Sequence, residues 1–151
     1  MAGVSPVGLR PDVTRGVTRG AARLLRAHGF SVVLEMTFAN GRRADVAALG
    51  ARSEFVIVEV KSGIEDFRTD RKWREYADFC DRFFFAVAPD FPTGALPLEP
   101  GLIMADSYSG EFLREAPAHP LNAARRKAVT AQFARLSADR LQALIDPEGA
   151  S

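Results

Sequence analysis

Three ionisable residues stand where an apolar strand is expected: Asp45, and then Glu59 and Lys61 on either side of Val60. The segment Phe55-Val56-Ile57-Val58-Glu59-Val60-Lys61 otherwise reads as a β-strand buried on both faces. Burying an unpaired carboxylate or ammonium costs several kcal/mol or shifts its pKa, so such charges point to a cation or an anionic substrate beside them. Two adjacent carboxylates, Asp45 and Glu59, supply oxygen ligands to one hard divalent cation, and the carbonyl of Val60 lies between Glu59 and Lys61. Mg²⁺, with Mn²⁺ as its substitute, fits this set. It prefers oxygen, keeps several waters, and is commonly held by one or two carboxylates plus substrate phosphates. Lys61 shares the face of Glu59 by the two-residue period of a strand, where it can orient a water or stabilise charge on a phosphate. A plainer reading is a salt bridge between Glu59 and Lys61, or a carboxylate paired with Arg42 or Arg43. Glu-x-Lys alone is too short a motif to exclude it.

The elements that must position these residues follow from periodicity. Residues 31 to 38 and 43 to 49 form a hairpin around Asn40-Gly41, a strong turn signal, and a third strand at 54 to 61 completes a meander. Arg52 lies midway between Asp45 and Glu59, so a regular second hairpin sets the two carboxylates opposite each other. The place of Glu35 depends on the first turn. A two-residue loop pairs Asp45 with Met36, whereas a three-residue loop with a glycine bulge pairs it with Glu35.

Around this meander the pattern predicts a loose arm over 1 to 11, then a helix from about 12 to 28 with Val13, Val17, Ala21 and Leu24 on its apolar face. Asp12 is its candidate N-cap and Gly29 its stop. Arg15, Arg19, Arg23 and Arg26 recur along one ridge, either a solvated face or a stripe that tracks phosphates. After a loop from Ser62 to Arg68, a helix from about 70 to 81, capped by Thr69 or Asp70, carries Trp73, Tyr76, Ala77 and Cys80 as an apolar stripe. A fourth strand at 83 to 88 lies parallel to the third. A Pro-rich loop, short strands at 102 to 105 and 111 to 114, and a helix at 122 to 145 capped by Asn122 complete the domain. Its apolar face holds Ala128, Val129, Phe133 and Leu136. Residues 147 to 151 are a tail. The result is an α/β domain with a mixed central sheet and a C-terminal helix, spanning 12 to 146.

Bulk properties bound the function. With 151 residues and 47% hydrophobic content, one core is expected. Lys plus Arg number 20 against 19 Asp plus Glu, a net charge of +1, so only the distribution of charge can argue for nucleic acid. The lone cysteine, Cys80, excludes an internal disulfide and a cysteine-based zinc site. No apolar run reaches the roughly 18 to 20 residues that span a bilayer, and no signal-peptide pattern opens the chain; a cytoplasmic protein without membrane contact is expected. The sequence has no glycine-rich phosphate loop and no nucleophile elbow, which speaks against a small-molecule enzyme.

A Glu-x-Lys ending an apolar strand, after a hairpin that carries an Asp, with helices on both sides, resembles the PD-(D/E)XK nuclease superfamily. The resemblance implies a restriction-endonuclease-like core: helix, three-stranded antiparallel meander, helix, strand. It also implies that residues at these places bind Mg²⁺ and cut DNA or RNA. Arg43-Ala44 replace the pattern's proline before Asp45, and Glu35 is the available substitute for a glutamate that many members carry on the first helix.

A closer resemblance covers almost the whole chain. Glu35-Met36-Thr37, Asn40 to Asp45, Ile57 to Ser62, Asp66-Phe67-Arg68, Asp70 to Trp73, Tyr76, Cys80 to Val87, Gly101 to Asp106 and Ala124 to Lys127 resemble the MmcB family of bacterial DNA-repair-associated proteins. This implies a role in responses to DNA damage near the nucleoid. The expected site is therefore Asp45, Glu59 and Lys61 for catalysis, with Asp45, Glu59, the Val60 carbonyl and Glu35 toward the metal. DNA is the expected partner, with a second copy or another repair protein as further partner classes. Arg15, Arg19, Arg23, Arg43, Lys72, Arg125, Arg126 and Lys127 are the candidate DNA contacts. Trp73 and Cys80 read as packing, and His28 and His119 have no partner spacing for a metal or a triad.

Overall fold

A computed structural model of the chain describes residues 6–63 and 72–149. Six strands form one sheet in the order β1 (Ser31–Thr37), β2 (Arg43–Leu49), β3 (Phe55–Val60), β4 (Arg82–Val87), β5 (Gly101–Ala105) and β6 (Gly110–Arg114). β1, β2 and β3 make the antiparallel meander, β3, β4 and β5 run parallel, and β6 returns antiparallel. Helix α1 (Pro6–Ala27) covers one face and helix α2 (Ala123–Ile145) the other, beside a 3-10 helix over Lys72–Phe79.

Each face has its own core. Val17, Ala21 and Leu25 of α1 pack on Val46, Val56, Val58, Phe84 and Ile103. Tyr76, Phe79, Val129 and Phe133 pack on Ala47, Phe55, Ile57, Phe83 and Phe85 on the opposite side. Strand β3 therefore lies between two apolar layers, as its composition requires.

Three expectations need correction. Helix α1 begins at Pro6, so part of the expected arm is helical. Proline at a first helical position loses nothing, because its missing N–H has no intrahelical acceptor there, while Pro11 is carried inside. Asp12 is consequently not a cap, and pairs with Arg15 at 3.2 Å. The stop at Gly29 is as expected: with φ of +89°, its N–H donates to Arg26 and that of Phe30 to Leu25, a Schellman closure.

The second correction concerns the helix after β3, which is 3-10 over Lys72–Phe79. Three residues per turn align Trp73, Tyr76 and Phe79, so Phe79 is buried and Ala77 is exposed. The expected caps Thr69 and Asp70, with Asp66, lie outside the described residues.

The last is the C-terminal helix, where Ala128 is exposed and only Val129 and Phe133 are buried. Asn122 caps it as expected, accepting from the Arg125 amide at 2.8 Å. The tail opens with a short 3-10 turn at Pro147–Gly149.

Candidate functional site

The antiparallel register of β2 and β3 ends at Val46 opposite Val58, and one step further it sets Asp45 against Glu59. The ladder stops there because a side chain replaces the main chain. Asp45 Oδ2 accepts from the Val60 amide at 2.7 Å. On the other side of β3, the Lys61 amide donates to the Ala86 carbonyl at 3.0 Å. Backbone groups alternate sides along a strand, so Val60 turns both its N–H and its C=O toward Asp45. Two carboxylates and one carbonyl thus converge at the carboxyl end of β3. That end of a parallel strand is the common position for ligands in open α/β sheets.

The electrostatics at this end are strained. Burial pushes the Glu59 carboxyl up to about 9, helped by the hydrogen bond its protonated form donates to Asp45 and by the charge of Asp45; Lys61 and the Tyr76 hydroxyl pull in the other direction. A buried carboxyl beside a second carboxylate favours its protonated form unless a cation neutralises the pair. Lys61, 7% exposed, is buried within the field of Glu59. The donor set, all oxygen and rich in negative charge, suits a hard divalent cation.

Tyr76 belongs to this site, although the pattern of the sequence placed it only in the core. Its ring stacks on Phe83, while its hydroxyl lies 2.8 Å from the Arg43 carbonyl and 3.2 Å from Glu59 Oε2. It ties the 3-10 helix to both strands that carry the carboxylates. The available signal was a tyrosine, with its polar tip, at a stripe position that phenylalanine would fill equally well. Burial raises the Tyr76 phenol further above its ordinary range, and Glu59 adds to this, so it stays protonated and able to donate.

Glu35 is brought into register but not into the site. Gly41 at φ +84° closes a three-residue loop between Phe38 and Arg42, so the count sets Glu35 opposite Asp45. Glu35 itself takes φ of +55°, which breaks the alternation of β1: Val33 and Met36 are both buried, and Glu35 points outward. Its carboxylate is 65% exposed and lies 3.9 Å from Arg43.

The basic candidates divide into two groups. Arg15, Arg19 and Arg23 are exposed along α1 as the ridge predicts, with Arg23 also donating to the Tyr108 carbonyl at 3.1 Å. Arg43 and Lys127 are exposed as well, while the side chain of Lys72 lies outside the described residues. Arg125 and Arg126 are engaged within the fold. Arg125 sits over the Phe79 ring at 4.4 Å. Arg126 forms a bidentate pair with Asp81, at 2.8 and 2.7 Å, and also donates to the Ser53 carbonyl at 2.7 Å. Asp81, 5% exposed, accepts in addition from the amides of Phe55 and Leu121, at 2.7 and 2.8 Å. Burial alone would raise the Asp81 carboxyl, but the Arg126 hydrogen bonds, the two amides and the guanidinium charge hold it below the usual carboxylate range.

Comparison with known proteins adds a family. The model of a family described as DNA repair protein MmcB-like matches residues 6–148. A solved structure, of a protein of unknown function from Silicibacter pomeroyi, is 45% identical, covers 99% of this chain and 98% of its own, and superposes with a TM-score of 0.88. No curated protein matches the chain.

Proposed function

The chain belongs to the MmcB-like DNA repair protein family, and from that premise we propose that it is a metal-dependent nuclease acting on DNA during repair, with a restriction-endonuclease-like core of the PD-(D/E)XK type. One observation carries the reading: Asp45 and Glu59 converge beside the buried Lys61 at the carboxyl end of β3, where uncompensated charge is costly. Asp45, Glu59 and the Val60 carbonyl would hold Mg²⁺, or Mn²⁺ in its place. The bound ion would supply charge neutralisation at the phosphate and a more acidic water. Asp45 is kept in place by the Val60 amide, and Glu59 by the Tyr76 hydroxyl. Lys61 places positive charge where the phosphate gains negative charge during attack. Hydrolysis joins a water oxygen to phosphorus, breaks the bond to one sugar oxygen, and leaves that oxygen with a proton. Glu35 stands outside this set.

Purified protein with Mg²⁺ or Mn²⁺ is expected to nick single-stranded, flap or branched DNA. Lys61→Ala should reduce the rate by roughly 10²- to 10³-fold, the scale of losing one charge-stabilising donor. A second reading keeps DNA binding and drops turnover. Its support is the bonding that already holds Asp45 to the Val60 amide and Glu59 to the Tyr76 hydroxyl within the fold. Metal-independent DNA binding with no cutting under any condition would establish that second reading.

A further inference from the structure

A basic groove and a groove of balanced charge meet at the outer edge of β1, one on each face of the sheet. On the α1 side, Arg15, Arg19, Arg23 and Arg26 line a groove of about 550 Å³ whose floor includes Val32 and Leu34; Asp12 is its one acidic group. On the α2 side, a groove of about 590 Å³ is lined by Glu35 and Thr37 of β1 with Arg135 and Arg140 of α2, against Asp139. The floors adjoin at the Leu34–Glu35 step, where Arg140 donates to both carbonyls. Arg43 stands beside Glu35 and belongs to the strand that carries Asp45. The second groove therefore lies over β1, the strand next to the one that carries Asp45.

We propose that these grooves form one path, and that the substrate following it to Asp45 and Glu59 is a single strand of nucleic acid. The proposal rests on the nuclease reading of that site and names its substrate class. Following both grooves requires a reversal of direction around one strand edge, within a few tens of ångströms at most. Duplex DNA, with a persistence length of about 50 nm, does not make that turn, whereas a single strand does. The four guanidinium groups of the α1 groove match a phosphate chain, Arg135 and the exposed Arg43 extend positive charge past the edge, and Leu34, 42% exposed at the turn, offers apolar surface to an unstacked base.

The test is fluorescence anisotropy on the full chain in EDTA, so that no cutting intervenes. The probes are oligothymidine of roughly twenty nucleotides and a duplex of the same length. Single-stranded DNA should bind at least about tenfold more tightly than duplex. Arg19→Glu on one face and Arg135→Glu on the other should each weaken single-strand binding several-fold and reduce its salt slope by about 0.7 or more per lost phosphate contact. Arg135→Gln should act in the same direction with a smaller effect, and matched thermal melts should show all three variants folded. Equal or tighter duplex binding, or sensitivity to only one face, overturns the single-strand path and leaves the nuclease reading standing. Failure to bind either probe also overturns the single-strand path, while the nuclease reading falls only if Mg²⁺ and Mn²⁺ support no cutting.

Discussion

Two carboxylate clusters occupy opposite ends of β3. At its amino end, Asp81 holds a guanidinium and two amides and is depressed in pKa; at its carboxyl end, Asp45 and Glu59 press on one another and Glu59 is raised to about 9. Both are largely removed from water. The difference is whether the fold itself supplies the compensating partners. Asp81 is met by positive charge and donors from β3, from the segment before α2, and from α2 itself. That arrangement leaves it little to offer a ligand. Asp45 and Glu59 are met by Val60, Tyr76 and the charge of Lys61, and Glu59 is still pushed toward its protonated form. Of two acidic sites in one sheet, the balanced one holds the structure and the unbalanced one is the candidate for chemistry.

The sharpest test of this contrast is stability. Asp81→Asn or Arg126→Ala breaks a buried ion pair from one side and should cost about 3–5 kcal/mol, lowering the Tm by roughly 6–20 °C. Asp45→Asn in metal-free protein relieves a carboxylate conflict while keeping an acceptor for the Val60 amide, so its Tm should stay level or rise. Equal losses from the two substitutions would erase the distinction between the sites. Metal is the next lever. Mg²⁺ or Mn²⁺ at a hundred times its Kd should stabilise the protein by about 2.7 kcal/mol in thermal melts, and Asp45→Asn should abolish that gain.

The pH dependences should have opposite signs. Asp81 binds its proton less well in the folded state, so its contribution is full above the unfolded value of about 3.9 and is lost as pH falls through the lower folded value. Glu59 binds its proton more tightly when folded. In EDTA, its contribution is full below about 4.5 and is lost as pH rises toward about 9. Urea midpoints measured across this range, with Asp81→Asn and Glu59→Gln as controls, separate the two slopes. The smallest effect belongs to Tyr76→Phe. Loss of one hydroxyl should weaken metal binding by about 1–1.5 kcal/mol, roughly five- to tenfold by calorimetry, with little change in Tm because the ring still stacks on Phe83.

The two clusters also differ in how far sequence reveals them. The Asp45–Glu59 pairing follows from local arithmetic, because a hairpin centred near Arg52 fixes which residues oppose each other. Glu35 defeats that arithmetic. The glycine-bulge loop puts it in register, yet its own positive φ turns it away, and no periodicity encodes a single left-handed residue. The Asp81–Arg126 pair joins residues far apart in the chain, so Arg126 reads as one more basic residue beside Arg125 and Lys127. Tyr76 is hidden differently: a 3.6-residue period finds its apolar ring, whereas the observed three-residue period and the reach of its hydroxyl appear only when the helix is placed against β2 and β3. The stretch ahead of Asp12 reads as loop from its proline and glycine content, although a first-turn proline starts a helix there.

Strand β1 carries one more consequence. It closes the sheet on one side, and its outward carbonyls at Leu34, Glu35 and Thr37 are already taken by Arg140 and Gln132 from α2. A sheet margin with free carbonyls invites another chain to add a strand. Here the margin is occupied by side chains and kinked at Glu35, so this border is guarded against edge-to-edge aggregation during crowding or partial unfolding.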